Sequence, residues 1–377
     1  MGYALSTIWY ERQRFLPAIL AVAFSAVLIA VQGGLLIGLL SMMSRPVDSA
    51  SADLWVGYPG VQSVDLGRGI PYRWASRVLA EPGVERVEPS MLGFSLWTRT
   101  STGAPATPEV ITVVGCRIHP NSLGAVEYLR KNPELLSRLS EPATVIVDEA
   151  EIGRLGVKAL GDHAEVFGRR VRVVGFVHGY RSIGGPYVFC SIETARMMLK
   201  HLRDDTTYIV AKCTDHDTAL AVAKNLNRYR QMSSFTDDEF SLRSRMHWLF
   251  TTKAGVAVGF TAILGLVVGA VVTSQTLYAA VAASKREFAT LRAMGIPAWR
   301  LRFTVVAQSL WVGLFGLIVA IPVSLLLSQA ANSLGTQVTL HSGIIAVACI
   351  VTLLMALLSG LGALRSFSGV DPAHNIR

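Results

Sequence analysis

Three tracts of the sequence, Phe15–Ser44, Ala254–Ser284 and Phe303–Leu364, contain no Asp, Glu, Lys or Arg. A helix needs ~20 apolar residues to cross the ~30 Å hydrocarbon layer of a bilayer. The first two tracts hold one span each. The third is 62 residues long and holds two, parted by the polar stretch Gln329–Ser342. A chain with four such helices is a membrane protein, and a purely cytosolic enzyme is excluded. The first tract far exceeds the ~7–15-residue apolar core of a signal sequence, and no small-x-small cleavage site ends it. It is expected to stay in place as an anchor. Charged residues make up only 16% of the chain, against ~25% in soluble proteins.

The position of the positive charges sets the expected orientation. Arg12, Arg14, Lys253, Lys285, Arg286, Arg292, Arg300, Arg302, Arg365 and Arg377 flank the spans, with only Glu11, Glu287 and Asp371 against them. Basic residues in short loops favour the cytoplasmic side. Both termini and the 285–302 loop are therefore expected inside, with the long insert between spans one and two outside. Because the excess charge sits beside the spans, a nucleic-acid partner is not expected. The expected order is a cytoplasmic amphipathic segment at 1–14, span one at 15–44 and an extracytoplasmic domain at 45–235. A stalk and span two follow at 236–284, then a cytoplasmic loop at 285–302, span three at 303–328, and an outer hairpin at 329–342. Span four at 343–364 and a cytoplasmic tail at 365–377 complete it. The fold class is an α-helical membrane protein with four transmembrane helices plus a large extracytoplasmic α+β domain.

Within that domain, alternating or β-branched runs predict strands at Asp53–Val56, Val110–Val114, Thr144–Asp148, His163–Phe167, Val171–Phe176, Tyr187–Cys190 and Tyr208–Lys212. Helical periodicity marks Tyr72–Leu79, Ser122–Leu139, Glu149–Leu155, Ile192–Leu202 and Asp217–Gln231. Thr236 and Glu239 have capping-box spacing, and no proline follows until Pro297. One unbroken helix over 236–284 would be ~70 Å long, longer than the bilayer core, so it is expected to project as a stalk; a break near Gly255 is the alternative. Cys116, Cys190 and Cys213 are odd in number, so the outer domain has at most one bridge.

The common catalytic signatures are missing. There is no phosphate-cradling Gly-x-x-x-x-Gly-Lys-Ser/Thr loop, no His-Glu-x-x-His and no Gly-x-Ser-x-Gly. Cys213, His216 and Asp217, with His201 upstream, lie close in sequence, but a solvated turn accounts for them better than a metal does. No metal or cofactor is expected in this chain. The spans carry no ionisable pathway; Gln32, Gln275 and Gln308 are read as interhelical hydrogen-bonding groups. Gly34 and Gly38, Gly255 and Gly259, and Gly265 and Gly269 have Gly-x-x-x-Gly spacing for close helix packing, either within one subunit or at a subunit interface, the latter slightly favoured. Pro322 is expected to kink span three.

In the 285–302 loop, Phe288, Leu291 and Met294 share one helical face among Lys285, Arg286 and Arg292, and Gly295 with Pro297 ends the helix. By itself this could be an interfacial anchor or a docking element. The run Lys285-Arg286-Glu287-Phe288-Ala289-Thr290-Leu291-Arg292-Ala293-Met294-Gly295 resembles the R-E-I-(x)2-L-R-A-(L/M)-G signature of MacB/FtsX-type ABC transporter permeases. Gly369-Val370-Asp371-Pro372-Ala373-His374-Asn375-Ile376-Arg377 resembles their C-terminal ending. Leu155-Gly156-Val157, Gly161-Asp162 and Val171–Val177 resemble their outer-domain pattern. Ala52–Val56 and the overall length are similar to the DevC-like branch. Phe288, in place of a small aliphatic, and Ile296-Pro297 depart from the pattern.

The resemblance implies a non-catalytic permease subunit in the bacterial inner membrane, in contact with the lipid bilayer. Its partners would be a second permease copy, a cytosolic ABC ATPase subunit that binds ATP and Mg, and a periplasmic adaptor or membrane fusion protein. The 285–296 segment would be the coupling helix, with Glu287 and Arg292 docking, Leu291 inserting and Gly295 stopping the helix. ATP-driven closure would move the outer domain by mechanotransmission, to export or extract a lipid, lipoprotein, peptide or hydrophobic small molecule. The alternative is an FtsX-like mechanotransmitter that regulates a cell-wall hydrolase. A membrane-anchored enzyme or receptor is a third reading, for which residues 45–252 supply no nucleophile–base pair.

Overall fold

The charge-free tracts become the longest helices of the computed structural model, which describes residues 6, 10–99, 107–182, 184–202, 204–283, 290, 294–333 and 338–365. Seven helices have eight residues or more among these. They are α1 (Arg12–Asp48), α2 (Ile192–Leu199), α3 (His216–Leu226), α4 (Asp237–Thr251), α5 (Lys253–Ala283), α6 (Ala298–Ser333) and α7 (Ser342–Arg365). Helices α1, α5, α6 and α7 are long and apolar enough to cross a membrane. The chain divides into two units, one within 39–255 and the other formed by 1–38 with 256–377.

The unit within 39–255 is built on one long strand. Its eleven strands, among the described residues, are β1 (Leu54–Gly57), β2 (Ile70–Pro71), β3 (Val84–Arg99), β4 (Glu109–Cys116), β5 (Thr144–Asp148), β6 (His163–Val166), β7 (Arg169–Val177), β8 (Tyr187–Ser191), β9 (Asp205–Thr206), β10 (Tyr208–Cys213) and β11 (Ser233–Thr236). The main sheet runs β11-β1-β10-β3-β4-β8-β5-β7-β6. A further pairing of β6 with Trp97–Arg99 of β3 closes the last six strands into a ring. Val84–Ser90 of β3 pairs with β10, and Met91–Trp97 pairs with β4. Two lobes therefore share one strand.

Each lobe has its own core. Trp97, Ile111, Val113, Val145, Val147, Val166, Val173 and Val188 come from the ring strands, with Ile192, Ala195 and Met198 of α2 packed among them. In the other lobe, Leu54, Val56, Ile209 and Ala211 pack against Val78 and against Ala219, Val222 and Leu226 of α3. A third cluster holds Trp55, Tyr208 and Phe240, with ring centroids 5.5–6.0 Å apart. Each strand expected from the sequence is found.

β3 is not expected from the sequence, because Pro89 and Gly93 interrupt its pattern. Pro89 is tolerated because Val84–Ser90 has a single partner strand, so its missing amide costs no second ladder. The helix expected over Ser122–Leu139 is instead two short helices, Glu127–Lys131 and Pro133–Ser137. Pro133 opens the second and forbids continuation through it. All four cysteines are free.

In the unit formed by 1–38 and 256–377, helix contact rests on small residues. Val22 of α1 lies where a Cβ on Gly316 of α6 would stand 2.7 Å from its Cγ1. Phe15, Ala18 and Val22 pack with Val312 and Ala356. Helix α6 runs on through Pro322. Residues 338–340 lie against Gly34, whose carbonyl accepts from the Thr339 amide at 3.3 Å.

Candidate functional site

Two places hold the features that could pass a displacement along the chain. One is the corner after α5, and the other is where α1 and α4 meet.

Of the predicted coupling residues, Glu287, Leu291 and Arg292 lie outside the described residues; Gly295 lies within them. Gly295 has φ +90°, which a side chain resists, so glycine is required there by its backbone. The Met294 amide donates to the Thr290 carbonyl at 3.0 Å. Pro297 then precedes α6, and the Arg300 amide donates back to its carbonyl at 3.0 Å. Met294 and Trp299 are exposed on either side of this corner. An exposed methionine and tryptophan beside a sharp turn make an apolar surface available for docking.

The second place was not legible as a site. Asp48, the last residue of α1, accepts from Ser44 Oγ at 2.7 Å and from Arg245 Nη2 of α4 at 2.7 Å. Its other oxygen accepts from Ser241 Oγ. Arg245 Nε also donates to Ser44 Oγ at 2.8 Å. One carboxylate thus ties two helices together. Helix α4 is also held to the core: the Val64 amide donates to Ser244 Oγ at 3.0 Å and Trp248 Nε1 to Asp65 at 3.2 Å. Phe240 stacks on Phe235 with centroids 5.2 Å apart. The start of α4 is fixed by the predicted capping box, Thr236 with Glu239.

The helix expected over 236–284 is not continuous. It breaks at Thr252, whose φ −95° and ψ 142° are extended. Thr252 Oγ1 donates to the Trp248 carbonyl at 2.6 Å and accepts from the Gly255 amide at 3.0 Å. It is the N-cap of α5, and a Thr three residues before Gly255 was the available sequence cue.

The glycine pairs sort differently from one another. Gly255 faces the end of α4: a Cβ there would collide with the Trp248 carbonyl and stand 2.7 Å from Leu249 Cα. Gly265 leaves room for the Gln32 amide, and Gly269 abuts Ser25, whose hydroxyl donates to the Gly269 carbonyl at 3.2 Å. Gly34 and Gly38 are buried on α1, and Gly259 is half-buried on α5. Gly34, Gly265 and Gly269 each face side chains of this same chain.

Burial, and then the Asp53 carboxylate, push the Cys213 thiol up to about 11. His216 lies near Asp237 and Asp238, with ligand atoms within 4.8 Å of one another. These residues head α3 and α4, where the helix dipole favours carboxylates. Burial and then the neighbouring Asp238 carboxylate raise Asp237.

Four apolar helices with a large α/β unit between the first two define a multi-pass membrane protein with a periplasmic-type domain. The description "MacB-like periplasmic core domain" matches residues 15–229, and "FtsX-like permease C-terminal" matches residues 259–372. The chain belongs to this family, the MacB/FtsX-type ABC transporter permeases. It is similar to an uncharacterized ABC transporter permease of Mycobacterium tuberculosis, at 22% identity over 98% of this chain and 97% of that one. An uncharacterized ABC transporter permease of Mycobacterium bovis is 24% identical over the same shares. Among solved structures, the periplasmic region of MacB from Actinobacillus actinomycetemcomitans matches 51% of this chain and 92% of its own, at 12% identity and a TM-score of 0.33. The extracellular domain of the noncanonic ABC-type transporter YknZ from Gram-positive bacteria matches 48% and 98%, at 12% identity and a TM-score of 0.32. An ABC transporter permease implies an ATPase partner.

Proposed function

We propose that this chain is the membrane subunit of an ABC exporter that converts ATP hydrolysis on a separate cytosolic subunit into movement of its outer unit. The cargo class is a lipid, lipoprotein, peptide or hydrophobic small molecule. The observation that carries the reading is the Asp48 anchorage. A span helix, α1, ends on a carboxylate that also holds α4, and α4 is fastened to the outer core at Ser244 and Trp248. A pull on α1 therefore reaches the sheet through bonded groups rather than through a loose linker.

In this reading both termini and the 285–302 loop are cytoplasmic, as the flanking basic residues favour. The ATPase takes the coupling segment, with Glu287 and Arg292 in polar contacts, Leu291 inserted and Gly295 ending the helix. A second copy of the chain completes the transporter. Support comes from α5, of whose span only 11% is buried within the chain against 28–39% for the other three. Leu242, Met246 and Phe250 add an exposed apolar stripe on α4. A periplasmic adaptor would receive the movement.

The test is a detergent pull-down of the full chain from its native membrane, with ATP hydrolysis measured in the eluate. An ATPase should co-elute with wild type and be lost or uncoupled in the double variant Leu291→Asp, Arg292→Glu. Absence of any ATPase under gentle conditions would overturn the reading.

A further inference from the structure

Strand β3 is long enough to serve as a ruler for the outer unit. At Ser90 it pairs with Tyr208, whose ring centroid is 5.5 Å from that of Phe240 on α4. At Phe94 it reaches Gly184, where a Cβ would lie 3.3 Å from the Phe94 ring and 3.6 Å from the Trp248 ring of α4. Ser90 to Phe94 spans ~13 Å of strand, and Phe240 to Trp248 spans ~12 Å of helix. β3 and α4 therefore run side by side in the same direction.

The end of α1 lies along the same ruler in the opposite sense. The Ser51 amide, just past the helix, donates to the Leu123 carbonyl at 3.1 Å. The next residue, Gly124, has room for a Cβ only 3.2 Å from Ser90 Oγ. Earlier in α1, the Met42 carbonyl accepts from the Tyr187 hydroxyl at 2.8 Å. Tyr187 pairs with Thr112, and Thr112 with Phe94. From Ser90 to Phe94, then, β3 advances the way α4 advances toward Lys253 and the apolar span that begins at Gly255. It is also the way back down α1 into its charge-free tract. That direction is toward the bilayer.

The ruler extends past Phe94. Leu96 is ~7 Å further on, and the same advance along α4 from Trp248 ends at Thr252–Lys253, where the span starts. Helix α1 gives the same depth: Arg14 to Met42 covers ~42 Å, the thickness of a bilayer with its headgroups. At that depth Leu96 and Val110 stand directly opposite each other on β3 and β4, 40% and 42% exposed. Their neighbours Trp97 and Ile111 point the other way and fill the ring core. On the outward face of β3, Leu92 is buried and Phe94 half-buried. Protein covers this face as far as Trp248 and leaves it open where the bilayer begins. Lys253 is exposed at the same depth.

We propose that the outer unit rests on the lipid surface through this end of its ring. Leu96 and Val110 enter the boundary between headgroups and acyl chains, and Lys253 lies among the lipid phosphates. Apolar side chains at an interface bury to ~5–10 Å in that boundary while cations stay at the headgroups. The contact gives the outer unit a support on the membrane besides the two helices it is tied to. It needs no ATPase, nucleotide or cargo, so its failure leaves the exporter reading untouched.

The experiment attaches a nitroxide at Leu96→Cys, Val110→Cys or, as the aqueous reference, Leu220→Cys on α3, which is 40% exposed. Each is made in a Cys349→Ser background of the full chain, in nanodiscs of phosphatidylethanolamine and phosphatidylglycerol. Collision with oxygen, which concentrates in lipid, is compared with collision with a water-soluble nickel chelate. The oxygen-to-nickel ratio should be several-fold higher at positions 96 and 110 than at 220. A ratio equal to that at 220 would mean that the ring stands clear of the bilayer, and the proposal is overturned. Spin–spin broadening at 96 and 110 that disappears on mixing with unlabelled chain would show a second copy covering the pair, and would overturn it too.

Discussion

The two units use their polar side chains in opposite ways. In the membrane-spanning unit most hydroxyls bond back to their own helix: Thr276 to Val272, Thr304 to Arg300, Thr352 to Ala348 and Ser359 to Met355. In the outer unit many also cross between elements, as Ser95 to Met198, Thr206 to Ser90 and Tyr187 to Met42 do. Lipid offers no hydrogen bonds, so a span satisfies itself first and then packs by shape. The outer unit folds in water and can trade solvent contacts for specific long-range ones. One unit is held together by fit, the other by burial and bonded networks.

That contrast is sharpest for tryptophan. Trp55 is 1% exposed, between Tyr208 and Phe240. Trp55→Ala should cost the outer unit about 3–5 kcal/mol, since it empties a large buried volume in a water-excluded core. Trp311 stacks on Phe315 in a span. Trp311→Ala should cost far less, because lipid chains replace the lost contact and no hydrophobic drive holds the helices together. Thermal unfolding of the full chain in detergent, followed by proteolysis of each unit, measures both. Equal losses would break the contrast.

Glycine gives the converse test. Gly316 is small because Val22 needs the room, while Gly161 has open space around it and φ +92°. Gly316→Val should cost about 1–3 kcal/mol by overpacking, seen as lost protection of α1 and α6. Gly161→Ala should cost nearer 1 kcal/mol, from backbone strain alone.

The anchorage lies between these extremes. Asp48→Ala leaves Arg245, Ser44 and Ser241 without their common acceptor. Such a loss is worth about 1–3 kcal/mol. Because the side chains of Arg245 and Asp48 are 35% and 30% exposed, screening puts the effect near the low end. It should show as faster cleavage within α4, with the rest of the outer unit intact.

How far these features were readable follows the same division. The spans were legible because the bilayer demands an uninterrupted apolar run, and nothing else in the chain resembles one. Strands with β-branched alternation, such as Val171–Phe176, were legible for a similar reason. β3 was not, because Pro89 and Gly93 are tolerated only through a pairing pattern that tertiary structure sets. A break near Gly255 is the sequence's alternative reading, but the absence of proline before Pro297 favours one continuous helix. Only the Trp248 contact shows why the chain turns. Asp48 was invisible as a site, since its partners Ser241 and Arg245 are nearly two hundred residues away.

Asp162 carries the smallest predicted effect, and its sign can be worked out. The sequence marks Gly161-Asp162 as a turn, and the structure shows why an acid suits it. Its carboxylate accepts from the Lys158 amide at 2.6 Å and the Ala159 amide at 3.1 Å. Those two amides hold Asp162 below the usual carboxylate range. A carboxylate depressed in the folded state binds fewer protons than in the unfolded chain. Its contribution is therefore complete above the unfolded value, near ~3.9, and is lost as pH falls through the folded value. Asp162→Ala should lower the melting temperature of the outer unit slightly at neutral pH. The gap between wild type and variant should close as pH drops below ~4. A gap that stays constant down to the most acid point would mean that Asp162 acts through turn conformation and not through its charge. The outer unit would then lean on backbone fit at this turn, much as the spans do.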